Sequence, residues 1–565
     1  MKNIYSVILL FLMGLNLYAQ TSVDTGRTTL TAYTFDGTWS PGDPNGISTG
    51  DDDIFVTSGN ASITADTSIG NVTVSPGAAL TVDAGATLTA SMVSLESNSD
   101  SYSSLISSAG SINGDIEYKR HVNGTVAAGV TTGGNDLISA PLTGQTFEDF
   151  QLANDNIVSN TGETLFLFGP LDSSTNVLGL YSNTETATLD PGVGYRAAAD
   201  GTNGGTFTFN GDLNTGDVSA NILNSGTNAV QWNLIGNPYP TYLSVQDFLN
   251  HEVATGVKNI DLMTSTSSGI YGYKGDLSTG YTIYNLINID ETTLIAPGQG
   301  FYVSADAADV AAHDIVFTPD MRRTGTGDDF IEGRSTTVEN KYLQLRISNS
   351  SKTFDTEFYF SENASLGLDP GYDAALFGDA APAFSIYSEL VEENTGRFMA
   401  IQCMGMTDMN DVSVPLGVNA AMGQQISFSI NQSTLPAYID VYLDDTLNNT
   451  YTKLNTGNYT LTSSTAINGT GRFFLRFANS TLGTAVATAH TVEVYSVKDK
   501  VIIKGRLDQN STFMLYDIQG RLIMETKLNQ NATNQYIDVS SMPKGTYIVK
   551  LSSATLLKTQ KLILN

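Results

Sequence analysis

The chain repeats itself on two length scales, and that repetition limits its possible folds more than any other feature. Thr73-Val-Ser-Pro-Gly-Ala-Ala-Leu80 and Thr81-Val-Asp-Ala-Gly-Ala-Thr-Leu88 match as T-V-x-x-G-A-x-L at a period of 81 − 73 = 8. Each octad offers two inward apolar positions, Val74/Leu80 and then Val82/Leu88, while Gly77 and Gly85 let the chain turn between them. Closely spaced short strands follow over residues 38–125, packed as a short β-solenoid or as an antiparallel meander.

The longer repeat begins where Asp136-Leu-Ile-Ser-Ala-Pro141 recurs as Asn233-Leu-Ile-Gly-Asn-Pro238, and Asp149-Phe150 as Asp247-Phe248. Phe166-Leu-Phe168 answers Tyr271-Gly-Tyr273, Pro191-Gly-Val-Gly-Tyr195 answers Pro297-Gly-Gln-Gly-Phe301, and Phe207-Thr-Phe209 answers Ile315-Val-Phe317. The offset only grows, from 238 − 141 = 97 to 317 − 209 = 108, as loop insertions between strands would leave it. Two copies of one β-module are therefore expected at 133–225 and 229–325. In each Pro-Gly-x-Gly-aromatic element, Pro fixes one backbone angle, Gly supplies a turn, and the aromatic opens a strand. A phosphate cradle would need a following helix and a Lys, and neither is present.

Residues 321–337 are polar, with Arg322-Arg323 and Asp328-Asp329, and read as a linker. Alternating runs such as Tyr342-Leu-Gln-Leu-Arg-Ile347 and Arg472-Phe-Phe-Leu-Arg-Phe477 predict a β-sandwich over 338–480, with 481–491 a second, small-residue linker. The fold class is all-β throughout. Composition agrees: 53 Gly, 26 Tyr and 24 Phe favour strands joined by turns.

Residues 1–19 carry one Lys, an apolar run from Val7 to Leu15 and a small residue, Ala19, and are read as a secretory signal peptide. The apolar run is too short for a membrane anchor, so no transmembrane segment is expected in the mature chain. The single cysteine, Cys403, excludes an internal disulfide and an N-terminal lipid anchor. Its neighbours Met399, Met404, Met406 and Met409 are soft sulfur ligands suited to Cu(I), but a buried strand filled by sulfur accounts for them more simply. The net charge of −30 repels phosphate backbones and removes nucleic acid from the partners.

Residues 492–565 hold seven strand-like runs, enough for an immunoglobulin-like sandwich, with Gly520 placed for a hairpin bulge. The residues Tyr516-Asp517-x-x-Gly520-Arg521, Ile537-Asp538-Val539-Ser540, Gly545-Thr-Tyr547-Ile-Val549 and the ending Lys561-Leu-Ile-Leu-Asn565 make this tail resemble the C-terminal sorting domain of cargo exported by the type IX secretion system of Bacteroidetes-type bacteria. The family's Tyr-Pro-Asn-Pro-like opening is replaced here by Tyr495-Ser-Val-Lys498. The resemblance implies recognition by the type IX secretion machinery, then loss of the domain, with release or attachment to surface lipopolysaccharide. The sorting-domain motif residues are Tyr516, Asp517, Gly520, Arg521, Gly545, Tyr547 and Lys561. The modules before the tail, notably Trp232-Asn-Leu-Ile-Gly-Asn-Pro-Tyr-Pro240, also look like those of large surface proteins in such bacteria.

No reaction emerges from the rest. His121, His251, His313 and His490 lack metal-ligand spacing, and no catalytic or cofactor-binding residues are assigned. Gly46-Ile-Ser48-Thr-Gly50 has the pattern of a hydrolase nucleophile elbow but lies in a Pro/Asp-rich loop, and Ser541-Met-Pro-Lys544 contains a helix-breaking Pro. Asp51-Asp52-Asp53, Asp369/Asp373 and Asp444-Asp445 are candidate structural Ca²⁺ clusters or solvated loops. Tyr271, Tyr273, Tyr281 and Tyr284 form a Tyr-rich stretch suited to core packing or to an extracellular glycan. The expectation is a secreted, surface or extracellular protein whose passenger is adhesive or structural. The alternative is a polysaccharide-binding or polysaccharide-degrading protein.

Overall fold

The computed structural model describes residues 30–564 except 108, 123–124, 127–134, 201–203, 226–230, 274–279, 307–312, 330–339, 379, 481–491, 498, 506, 508–510, 530–533 and 553–556. The segments expected as a signal peptide, 1–19, and as a small-residue linker, 481–491, lie outside the described residues, as does His490. Strands dominate, and among the described residues no helix is long and apolar enough to cross a membrane.

The N-terminal region is a β-solenoid, because its strands stack in parallel. Ala32–Asp36, Asp53–Ser58, Thr67–Val74, Thr87–Leu95 and Ser111–His121 form one parallel face. Asn60–Ile63, Ala79–Val82 and Ser104–Ser107 form the other. A meander would pair neighbours antiparallel. Val56, Val74, Leu95 and Tyr118 are direct register partners in successive coils, so the coils measure 74 − 56 = 18, 95 − 74 = 21 and 118 − 95 = 23 residues. The octad is thus the step from one face to the other: Val74 ends a strand of the first face and Val82 a strand of the second. The four apolar octad positions are buried, and Gly77 and Gly85 take the left-handed conformation at the corners.

The two modules have the same strand order. In the first, Asp136–Ser139, Gly194–Ala197, Phe168–Asp172 and Val177–Leu178 lie side by side. In the second, Trp232–Gly236, Gly300–Ser304, Ile270–Tyr273 and Tyr281–Tyr284 repeat that order. The recurring Asp-Phe pair marks a short helix in each, Phe147–Ala153 and Val245–Asn250. Thr146 and Ser244 accept the Asp backbone N–H as N-caps, and Phe150 and Phe248 anchor the helices in aromatic clusters. Thr206–Asn210 adds antiparallel to the last solenoid strand, so solenoid and first module share one core. The equivalent His313–Phe317 pairs with Val218–Ile222, which backbone pairing therefore groups with the second copy.

The Pro-Gly-x-Gly elements are turns entering strands, and their second glycines also let the modules meet. A Cβ on Gly194 would lie 2.6 Å from Leu234 and 2.7 Å from the Ile235 carbonyl of the other module. A Cβ on Gly300 would lie 2.7 Å from the Leu137 carbonyl carbon. The contact is reciprocal, with isolated bridges Val193↔Ile235 and Ile138↔Gln299.

The region expected as a β-sandwich, 338–480, is instead one continuous sheet that curls until it nearly closes, because its strands pair edge to edge along a single path. It runs from Thr450–Lys453 through Ile439–Asp445, Phe473–Asn479, Asp411–Asn419, Ser385–Ser388, Met399–Gly405, Thr353–Ser361, Lys341–Ser348 and Gln425–Ser433 to Tyr459–Thr462. Its two edge strands meet through side chains: the Tyr459 hydroxyl lies 3.4 Å from Thr450 Oγ1 and donates to Asp445 Oδ2 at 2.8 Å. Cys403, Met399 and Met404 are buried in this core, and burial pushes the Cys403 thiol well above its ordinary pKa.

Part of the expected linker is built into the body. Arg322–Arg323 pairs with Tyr242–Ser244, and Asp329 is buried beside Arg120. Of the remainder, 330–337 lies outside the described residues.

Candidate functional site

The tail folds as two facing sheets. Glu493–Val497, Lys500–Lys504 and Asn534–Asp538 make the first, and Leu522–Lys527, Thr512–Asp517, Gly545–Ser552 and Leu557–Leu564 the second. The fourth strand joins the third rather than the fifth, giving a three-plus-four immunoglobulin-like sandwich. Val501, Ile503, Phe513, Leu515, Val549, Leu551 and Leu562 fill it, each on the inward phase of its strand.

The motif residues gather at one end of the four-stranded sheet. Asp517 is the register partner of Tyr547, and Tyr547 of Leu562; one row along, Tyr516 partners Ile548 and Ile548 partners Lys561. Asp517 accepts the backbone N–H of Arg521 at 2.9 Å and of Gln519 at 3.0 Å, and the Arg521 Nε at 3.0 Å. These bonds, the Arg521 backbone first, hold its carboxyl below the ordinary range. Gly520 closes the hairpin at φ +80°, and the expected bulge appears as a register shift between Leu515 and Tyr516. The Arg521 side chain remains largely exposed and Lys561 is exposed. Gly545 opens its strand, where its register partner is Leu564.

Tyr547 is buried, and its hydroxyl donates to the Pro543 carbonyl at 2.7 Å, tying the strand to the turn before it. Replacing Tyr547 with Phe removes that bond and is expected to destabilise the tail by about 1–1.5 kcal/mol. Hydrogen exchange of tail amides, compared with passenger amides, checks this: an unchanged tail would mean the bond contributes nothing.

The passenger's chemistry-bearing residues are mostly committed to packing. Tyr271 and Tyr273 are buried, Trp232 meets Tyr271 and Phe377 at ring-centre distances of 4.7 and 4.3 Å, and Tyr281 stacks on Phe377 at 4.2 Å. Tyr271, Tyr273 and Tyr281 therefore line the seam between the second module and the 338–480 region, while Tyr284 is half-buried beside the second module's own core. Asn237, fully buried, donates to the Thr241 and Ala296 carbonyls, and Pro240 accepts the Leu105 N–H of the solenoid at 2.8 Å. The Trp232–Pro240 pattern thus stitches three regions together.

Sequence reasoning missed a fully buried cation, Arg120. It lies where solenoid, modules and the 321–329 segment converge. Its guanidinium donates to the Tyr102 hydroxyl at 3.0 Å and to Gln299 Oε1 at 3.4 Å, and lies 3.5 Å from Asp329 and 3.9 Å from Asp136. Tyr102 in turn donates to Asp329 Oδ2 at 3.0 Å. Burial opposes the Arg120 charge, and Tyr102, Asp136 and Asp329 outweigh it. The signal was available: Ile116, Tyr118 and Arg120 share the inward phase of one strand.

Each acidic cluster has a carboxylate bonded by protein groups. Asp52 accepts the N–H groups of Thr31 and Thr49, Asp445 pairs with Arg472 at 2.7 Å, and Asp373 accepts those of Asp369 and Cys403. Among the described residues no three His, Cys, Asp or Glu side chains are grouped to share a metal ion. Ser48 lies in a loop and donates to the Ser68 carbonyl, and Ser541 to Lys544 is a turn. A cleft of about 440 Å³ is lined by Tyr242, Glu291, Arg323 and Asp328, together with Gln299 and Asp329.

Residues 27–477 match the family described as domain of unknown function (DUF8693), and residues 496–565 match the secretion system C-terminal sorting domain. No curated protein matches the chain. Among solved structures, one described as "Biofilm associated protein - BSP domain" aligns with 74% of this chain and 70% of its own at 9% identity and a TM-score of 0.15, and nothing is carried over from it.

Proposed function

The chain belongs to the DUF8693 family and ends in a type IX secretion sorting domain, and from that premise we propose that its passenger is an adhesive or structural scaffold at the cell surface. The tail makes the chain exported cargo that interacts with the secretion machinery. The observation that carries the scaffold reading is the use made of the passenger's reactive and aromatic side chains. Arg120, Asp136 and Asp329 lock solenoid to modules, and Trp232, Tyr271 and Tyr281 lock the second module to the 338–480 region. Such a body transmits force between its ends and offers its long strand faces to partners, lipopolysaccharide or an extracellular glycan among them.

A strain whose copy ends at residue 480 tests both levels of the reading. The passenger should collect in the periplasm, and attachment to surfaces and to other cells should fall to that of a deletion strain. Passenger found outside the truncated strain would refute the role of the tail. Normal attachment by the deletion strain would refute adhesion while leaving export intact.

A further inference from the structure

We propose that the sorting tail is a docked partner of the passenger, held by a buried charge cluster that keeps the two together even when the connecting segment 481–491 is severed. Glu389 of the passenger is fully buried, and its carboxylate accepts Lys504 Nζ of the tail at 2.5 Å, Thr470 Oγ1 at 3.1 Å and Asn394 Nδ2 at 2.9 Å. Lys504 also bonds Thr470 directly. Asn394 reaches across to Glu493 Oε1 of the tail at 3.3 Å. All five residues are at least nine-tenths buried, and the chain around them belongs to two separate hydrophobic cores, Tyr387 in one and Val494 and Ile503 in the other.

Apolar contact seals the cluster. Tyr495 is buried with its ring against Gly396, where a Cβ would lie 3.1 Å from the ring, and Lys504 Nζ lies 5.1 Å from the ring centre. The tail therefore presses on passenger backbone that has no side chain in the way. A surface ion pair would hold nothing, since water replaces either partner at little cost. Here parting the two pieces exposes both charges, whereas deleting one partner leaves the other dry and uncompensated. The arrangement makes attachment depend steeply on each partner, as in a specific protein–protein contact.

The test uses the full chain with a protease recognition sequence inserted within 481–491, cut after folding and run by native gel filtration at about 1 µM. The pieces are expected to elute together. Lys504→Met should weaken their association by roughly 30-fold or more, so that they elute apart while the isolated tail keeps its β-sheet circular dichroism. Should that tail fail to fold, Glu389→Gln, which alters only the passenger, gives the same reading. Separation of the wild-type pieces on cutting overturns the proposal, and so does co-elution of the folded variant pieces at wild-type strength.

Discussion

Arg120→Met is expected to lower the stability of the solenoid and first module by about 3–5 kcal/mol, the usual consequence of leaving buried carboxylates without their cation. Asp136 and Asp329 would remain within the protein with the guanidinium gone, and the Tyr102 hydroxyl would lose its donor from Arg120. Methionine roughly preserves the stem volume, so the loss isolates charge from packing. Urea denaturation followed at the solenoid core measures it. Adding Asp136→Asn and Asp329→Asn to Arg120→Met should recover part of the loss, because the stranded charges are then removed. A single variant within about 1 kcal/mol of wild type would show that the cluster is not what joins these regions.

The second large effect is a pH dependence centred on Asp373. Burial raises its carboxyl from 3.8 to about 7, although the backbone N–H groups of Asp369 and Cys403 oppose the rise. The folded protein therefore binds this proton more tightly than the unfolded chain. Its contribution to stability is complete below 3.8 and is lost as the pH rises through about 7. The whole interval is worth up to about 4 kcal/mol. Asp373→Asn cannot titrate, and its amide must turn one N–H toward a backbone donor, so it should be less stable at low pH. The advantage of wild type over the variant is expected to shrink by about 2–3 kcal/mol between about pH 5 and pH 8.5. Parallel stability profiles for the two proteins would rule out Asp373 as the source.

What could be read in the sequence was local, and what could not was contact between distant segments. All seven tail strands were legible because each alternates apolar and polar residues between Gly-, Asn- or Pro-containing turns. The solenoid was legible as stacked strands, but the length of its coils was not: inward valines and leucines recur on both faces, and the octad marks only the step from one face to the other. The Pro-Gly-x-Gly turns were clear from their backbone chemistry. Nothing in them announced that Gly194 and Gly300 would each face the other module's backbone. The 321–329 segment looked like a linker because it is polar, with two charged pairs and glycines between them, and only a partner on a distant strand makes the burial of Asp329 tolerable. In the tail, register placed Tyr516, Asp517, Tyr547 and Lys561 at one end, a grouping that spacing alone does not give.

The mutual seating of Gly194 and Gly300 also bears on how this architecture can evolve. A solenoid coil presents the same edge to whatever follows and so tolerates the addition of another coil. The paired modules meet as a near-symmetric couple, each using its glycine-bearing strand against its sibling. A third copy would arrive to find that surface already taken on both. Duplication here ends at two, and the glycines must be inherited as a set, since a methyl group gained by one copy is a collision felt by both.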